Sequence, residues 1–446
     1  MYDNLGFGNI LSGTRKDQDW NFILKNLVLA RLANPDSQRR TASYLERDFG
    51  ISIDINKLYQ VMDHVYKQEE RIKSQVARNT LDLFSQSVDL VFFDVSTLYF
   101  ESFESDNLRN LGYSKDNKFK EVQVMLALVT TQYGLPISYF LFPGNTSETN
   151  TLLTAVETLR DKLKISHVTL VADRAMFCKE NLALMEVNGI SYIIACKLKS
   201  LKKSFQGQLL NDEFHPEKVC NEQHWCKEYV YENRRLIVSY SKKRALEDAK
   251  DRERLVTRLL KKAKKAKTVS IKSIVTKRGS SEYLKLNETD DVTRDDVTIN
   301  EEGIAQDALW DGLHGVITNV TQEDASDILT QYRGLWQIEE AFRVNKHNLR
   351  MRPIYHWTEE RIHAHICICF VAYSLAKYAL YQLNVISKLK LSLQELNNEL
   401  LHMQASILRD NSTRREYLVP SHRTDNQIKI CKAFGIKYRD QVKRIK

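Results

Sequence analysis

At residue 88 the hydrophobic pattern of the chain changes period, and this change constrains the fold more than any other feature. Before it, apolar residues recur at helical spacing. Asn21 to Ala33 forms one such segment, broken by Pro35-Asp36-Ser37. Ser37 can cap a second helix through Leu45, and Asp54 a third through Tyr66. Beyond residue 88 the apolar runs are short, continuous and rich in β-branched and aromatic residues. Val88 to Phe93 is the first; Val122 to Thr130 and Leu135 to Phe142 follow. The last two are joined by Thr131-Gln132-Tyr133-Gly134, with glycine where a positive φ costs least. Pro143-Gly144-Asn145 ends the third run, and Ser147 caps a helix to about Leu163. A strand at 167–172, a helix at 178–188 and a strand at 190–195 come next. Three strands, helix, strand, helix, strand predicts an α/β fold: a mixed sheet with flanking helices.

The rhythm stops at 196 and resumes near 311. The intervening segment has short strand-like pieces (Trp225 to Tyr231, Arg235 to Tyr240, Val269 to Val275, Glu282 to Leu286) around a long charged helix, Lys242 to Lys267. The expected organisation is therefore a helical N-terminal region at 1–84 and a catalytic core at 85–195 and 311–358. A β-rich insertion at 196–310 interrupts that core, and a helical C-terminal region fills 359–446. The two helices around Phe49-Gly50-Ile51 read either as a DNA-reading helix-turn-helix or as part of an ordinary small bundle.

Lys and Arg outnumber Asp and Glu by 66 to 57, a net +9 that favours polyanionic partners. Arg258 to Lys267 alone carries six positive charges and no acid, enough to follow a phosphate backbone or simply to face solvent. No run approaches the roughly 18 to 20 apolar residues of a membrane span, and Met1-Tyr2-Asp3-Asn4 does not start a secretory signal. Seven irregularly spaced cysteines suit a reducing cytoplasm better than a disulfide framework. His215, Cys220, His224 and Cys226 cluster without a common zinc spacing, and ordinary packing explains them better.

The acids are more informative. Asp94 follows Val91-Phe92-Phe93, and Asp173 follows Val168 to Ala172, so each stands where a strand can present a side chain to solvent. Either alone reads as the cap of a following turn. A third acid, Glu339, sits in a helix-like segment whose core face is Leu335, Ile338, Phe342 and Leu349. Glu339 lies about 100° from Ile338, at the edge of that face, whereas Glu340 is about 200° away and should meet solvent. Tyr332 and Lys346 stand seven residues to either side of Glu339 and share its stripe, while Arg343 is its i,i+4 neighbour. Three converging carboxylates could hold two divalent cations about 3.5–4 Å apart, an arrangement that cuts and joins phosphodiesters.

At these residues the chain resembles the DDE transposases of bacterial insertion sequences, in particular the group with a Tyr-Arg-Glu-Lys signature. Asp94 to Ser102, Gly112-Tyr113-Ser114-Lys115-Asp116, Gly134-Leu135-Pro136 and Phe142 to Glu148 resemble successive blocks of that group. Val171 to Met176 resembles its second-Asp segment, Tyr332 to Arg343 its third-acid segment, and Arg350 to His356 the stretch that follows. Leu335 is a departure, standing where the signature has Arg; the nearby arginine is Arg333. The resemblance implies a ribonuclease-H-like fold with Asp94, Asp173 and Glu339 as ligands for two Mg²⁺ or Mn²⁺ ions. It also implies Tyr332 and Lys346 as phosphate contacts near the active site; Arg174, Arg333 and Arg343 are further candidate DNA contacts. The expected partners are double-stranded DNA (terminal inverted repeats and target) and a second copy of the chain, at the bacterial nucleoid. A related nuclease without strand transfer, or an inactive DNA-binding remnant, is the alternative.

Overall fold

The computed structural model describes residues 1–446 apart from 12–14, 85–87, 113–119, 163–167, 213–218, 222–223, 266–282, 287–296, 438–440 and 446. The expected strand Val269 to Val275, most of the Gly112 to Asp116 block and His215 lie outside the described residues.

Four helices come first: α1 (Arg15–Ala33), α2 (Gln38–Phe49), α3 (Ile55–Lys67) and α4 (Glu69–Leu83). Strands β1 (Leu90–Tyr99), β2 (Gln123–Thr131) and β3 (Pro136–Pro143) follow, then α5 (Leu152–Glu157), β4 (Thr169–Ala172) and α6 (Lys179–Val187). The middle of the chain forms β5 (Ser191–Cys196), α7 (Lys203–Asn211), β6 (Val219–Asn221), β7 (His224–Tyr231), β8 (Arg234–Tyr240) and α8 (Lys242–Lys265). It continues with β9 (Leu284–Leu286), β10 (Val297–Ile299), α9 (Glu301–Ala308), β11 (Leu313–Thr318) and α10 (Ala325–Arg333). The last elements are α11 (Trp336–Arg343), α12 (Glu359–Tyr381), α13 (Leu393–Leu401), β12 (Ala405–Arg409), β13 (Glu416–Pro420), α14 (Asp425–Ala433) and β14 (Lys443–Arg444).

Two compact units result. The first comprises Met1–Val171, Cys178–Ile190 and Gly334–Lys446; the second comprises Ala172–Phe177 and Ser191–Arg333. The insertion expected at 196–310 falls wholly in the second unit, and the stretch expected as the core's second part divides between both.

In the first unit the strands run in the order β3-β2-β1-β4. β1 and β2 are antiparallel from Val91 opposite Thr131 to Tyr99 opposite Gln123. The hairpin between β2 and β3 turns at Gly134, whose φ of +70° suits a residue without a Cβ. β2 is buried along its whole length because α12 and α4 pack on β3 and α11 packs on both β1 and β2. Helix α3 buries Leu58, Val61, Met62 and Val65, and it packs on α12 together with α1. In the second unit β5, β11, β8, β7 and β6 form a sheet in that order with antiparallel pairings.

Several expectations need correction. β1 does not end at Phe93; full-length pairing with β2 carries it to Tyr99 and leaves Asp94 mid-strand, opposite Leu128. The segment carrying Glu339 is not one helix. It breaks at Gly334, where Gln337 N–H bonds the Gly334 carbonyl and Ile338 N–H that of Leu335, three residues back. The C-terminal region is not purely helical, because β12, β13 and β14 form a small sheet. One helix, continuing from Glu359 to Ile386, is long and apolar enough to cross a membrane, although no such run was expected. In this fold 72% of its most apolar window is buried inside the protein, as in a core helix. Among the described cysteines Cys226 is disulfide-bonded, while Cys178, Cys196, Cys367, Cys369 and Cys431 are free, so no disulfide framework forms.

Candidate active site

Asp94 and Ser96 alternate with Val95 along β1 and therefore share one face of the strand. Asp94 is half-buried and Ser96 buried. Helix α11 packs on β1 through Ile338, Ala341 and Phe342, which are buried at the helical spacing that keeps them on one side. After Arg343 the helix widens into one π-turn over Val344–Asn348, closed by Leu349 N–H on the Val344 carbonyl. Such turns carry an extra residue per hydrogen-bonded loop and re-aim the side chains beyond them. Here Lys346 turns inward, and its Nζ donates to Ser96 Oγ at 2.5 Å.

The neighbouring acids of α11 divide differently from the helical-wheel expectation. Glu340 is the half-buried one: Arg343 donates to it through Nε and Nη2, both at 2.6 Å. Glu339 is exposed and, among the described residues, has no hydrogen bond or ion pair. Glu340 lies on the Lys377 side of the core helix, whose ammonium it influences. Arg343, an expected DNA contact, has its guanidinium engaged by Glu340. Leu335, at the signature arginine's place, is buried.

Asp173 belongs to the second unit. It follows β4 and caps a short 3₁₀ turn, accepting from Arg174 N–H at 2.6 Å, while the Arg174 side chain is exposed. Asp173, Arg174 and Tyr332 line a cavity of about 740 Å³ together with Lys197, Arg244 and His314. The acids and bases of its far wall are matched: Arg252 bonds Asp311 at 2.6 Å and Asp307 at 3.3 Å, and Tyr283 donates to Asp307 at 2.8 Å. The Tyr332 ring lies 5.0 Å from the His314 ring, centroid to centroid, and Arg333 beyond it is exposed. Burial pushes the His314 pKa down to about 4; Arg244 pushes the same way, Asp173 opposes, and Arg174 and Arg333 add to the depression. At neutral pH His314 is therefore an uncharged ring beside a candidate metal ligand.

Tyr332 and Glu339 thus belong to different helices and different units, not to one stripe. Within neither unit, among the described residues, do three His, Cys, Asp or Glu side chains form a ready metal-binding group. Sequence reasoning missed Ser96 and His314. Period-2 alternation from Asp94 pointed to Ser96 once β1 was continued; His314 opens β11 with no pattern to mark it.

The family model described as the transposase DDE domain matches residues 89–375. Comparison with curated proteins finds no match. Among solved structures, the chain is similar to a piggyBac transposase synaptic complex with hairpin DNA. That likeness has 11% identity and a TM-score of 0.47, over 89% of this chain and 72% of the other. A Mos1 transposase paired-end complex with the left transposon end shows 14% identity and a TM-score of 0.18, over 38% of this chain and 57% of the other. From the family match, this α/β chain belongs to the DDE transposases, DNA-cleaving and strand-transferring enzymes that work with divalent metal ions.

Proposed function

We propose that the chain is the transposase of a bacterial insertion sequence of the Tyr-Arg-Glu-Lys group, with Asp94, Asp173 and Glu339 as its metal ligands. The exposed Glu339 carboxylate carries this reading. It has no protein partner among the described residues, and its helix is tied by Lys346 to the face of β1 that bears Asp94. The donor set fits hard cations: three carboxylates and no thiolate suit Mg²⁺ or Mn²⁺. Two such ions would supply the means to activate a nucleophilic oxygen and to stabilise the leaving one.

The chain's own residues would do the positioning. Lys346 lies close enough to Asp94's face to meet a phosphate there, and Ser96 holds its ammonium in place until then. Arg174 and Arg333 are exposed cations on the second unit, free to meet the backbone of double-stranded DNA at the terminal repeats or the target. Arg343 would have to exchange Glu340 for a phosphate. Tyr332 offers its phenol from the lining of the cavity that also holds Asp173. Because two transposon ends must be brought together, the proposed working form is a homodimer on DNA at the nucleoid.

The test is cleavage of a DNA duplex carrying the element's terminal repeat, in Mg²⁺. Alanine at Asp94, Asp173 or Glu339 should remove strand cleavage and the strand-transfer product while end binding survives. Full cleavage by Glu339→Ala overturns the assignment.

A further inference from the structure

None of the three acids lines a second cavity, of about 120 Å³, in the first unit. At about 30 Å³ per water this is room for a group of roughly four oxygen-sized atoms. Its charge is one-sided: four arginines (Arg31, Arg39, Arg350 and Arg352) against one aspartate, Asp36. That aspartate is already engaged. Ser37 N–H donates to it at 2.7 Å and Arg40 Nη1 at 3.4 Å. Burial raises the Asp36 pKa, but those bonds and the charges of Arg40 and Arg350 hold it below the usual carboxylate range.

Two buried side-chain donors line this space, and neither has a partner among the described residues. Arg31, in the last turn of α1, is only 5% exposed, yet among the described residues no acid pairs with it. A buried guanidinium without a counter-charge is costly, so the site is incomplete as it stands. Gln38 is 4% exposed, and its Nε2 is buried with no hydrogen-bond partner among the described residues. Gln38 is also the first residue of α2, a 12-residue helix capped by Ser37, so the positive end of the helix opens on the same cavity. His365 adds no charge. Its Nε2 is spent on the Met351 carbonyl at 3.0 Å, and burial followed by the charge of Arg31 holds the ring's pKa well down. An unpaired arginine, an unpaired amide N–H₂ and a helix N-terminus all call for the same ligand, a compact oxyanion.

We propose that this cavity is a phosphate-binding site for the DNA backbone, with Arg31, Gln38 Nε2 and Arg350 as its donors. It lies outside the carboxylate site and rests on the transposase assignment only for the source of the phosphate. Inserting one backbone phosphate here would anchor the N-terminal helices and the 350–356 segment to DNA without reading a base.

The experiment uses the full chain and two readouts that need no cleavage, so failure of the metal assignment leaves them intact. Thermal melting is followed in inorganic phosphate against chloride at matched ionic strength. Affinity for a DNA duplex is followed across a salt series. Arg350→Gln, at an exposed position, should weaken duplex binding about tenfold and lower the slope of log affinity against log salt by about one. Gln38→Leu should abolish protection by phosphate while leaving the unliganded melting point unchanged or higher, because it removes an unsatisfied buried group. Phosphate protection that survives both variants, or a duplex affinity and salt slope unchanged by both, overturns the proposal. Loss of phosphate protection with duplex binding untouched overturns the DNA source and makes free phosphate the occupant.

Discussion

Lys346 donates its ammonium to the hydroxyl of Ser96, a residue 250 positions earlier in the chain. The bond joins the π-turn after α11 to the Asp94 face of β1, across a sequence separation that no local propensity could specify. A hydrogen bond from a charged donor contributes more than a neutral one, about 1.5–3 kcal/mol. Ser96→Ala and Lys346→Met should each destabilise the chain by about 1–2 kcal/mol in urea titrations, with a coupling near 1 kcal/mol in the double-mutant cycle. Additive losses would show that the pair does not hold the helix on the strand.

The adjacent acids of α11 give a sharper contrast. Glu340 pairs with Arg343 through side chains that are 29% and 57% exposed, and screened pairs of this kind contribute little, about 0–1 kcal/mol. Glu340→Gln should therefore leave cleavage within about twofold of normal and stability within about 1 kcal/mol. Glu339→Gln should leave stability alone and reduce cleavage about a hundredfold or more, since even residues behind a metal ligand typically matter by 10- to 100-fold. Parallel cleavage assays with denaturation curves separate the two; equal losses in both variants would remove Glu339 from the ligand set.

How much of this was legible in the sequence depended on the range of the interaction that decides it. The hairpin at Gly134 and the caps at Ser37 and Asp54 follow from local pattern, and the structure has them. Asp94 was read as ending a strand because its carboxylate interrupts the apolar run. The strand continues because β2 offers a partner along its whole length, which is non-local information. Apolar spacing that looks continuous on a helical wheel placed Tyr332 on the Glu339 helix; the break at Gly334 puts the two on separate helices. Lys346 reaches Ser96 only through a π-turn that periodicity does not reveal. The small C-terminal sheet was missed because β12 is exposed throughout and shows no alternation.

Gly144 follows β3, and its carbonyl accepts from Gln123 Nε2 at 3.0 Å while its own N–H reaches the Leu108 carbonyl at 3.2 Å. A Cβ on Gly144 would stand 2.6 Å from the Asn110 carbonyl oxygen and closer still to that of Gln123. Both obstacles are backbone atoms, fixed by the Asn110–Gln123 bridge, and cannot swing aside. Gly144→Ala should cost about 3 kcal/mol or more, in the range reserved for steric failures. Gly189→Ala meets no atom within 4 Å, although its φ of +67° adds strain, and should cost about 1 kcal/mol. Melting curves of the two variants compare directly; equal shifts would mean that the loop at Gly144 relaxes.

Buried histidines shape the response to acid, His314, His356 and His365 among them. Burial lowers His314 to about 4, helped by Arg244, and lowers His356 to about 4, helped by Arg31 and Arg361. In the unfolded chain each imidazole titrates near 6.5, so between pH 6.5 and 4 the unfolded state binds more protons than the folded one. Stability therefore rises with pH through that window and is lost as pH falls from 6.5 toward 4, on the order of 3 kcal/mol for each ring. Near neutrality both rings are uncharged in either state, so their replacement should change the slope and leave the plateau little affected by titration. His314→Asn and His356→Asn should each flatten the curve of unfolding free energy against pH over this range, and together nearly double the effect. If the slope between pH 4 and 6.5 is the same in the wild-type chain and the double variant, other groups govern the acid response.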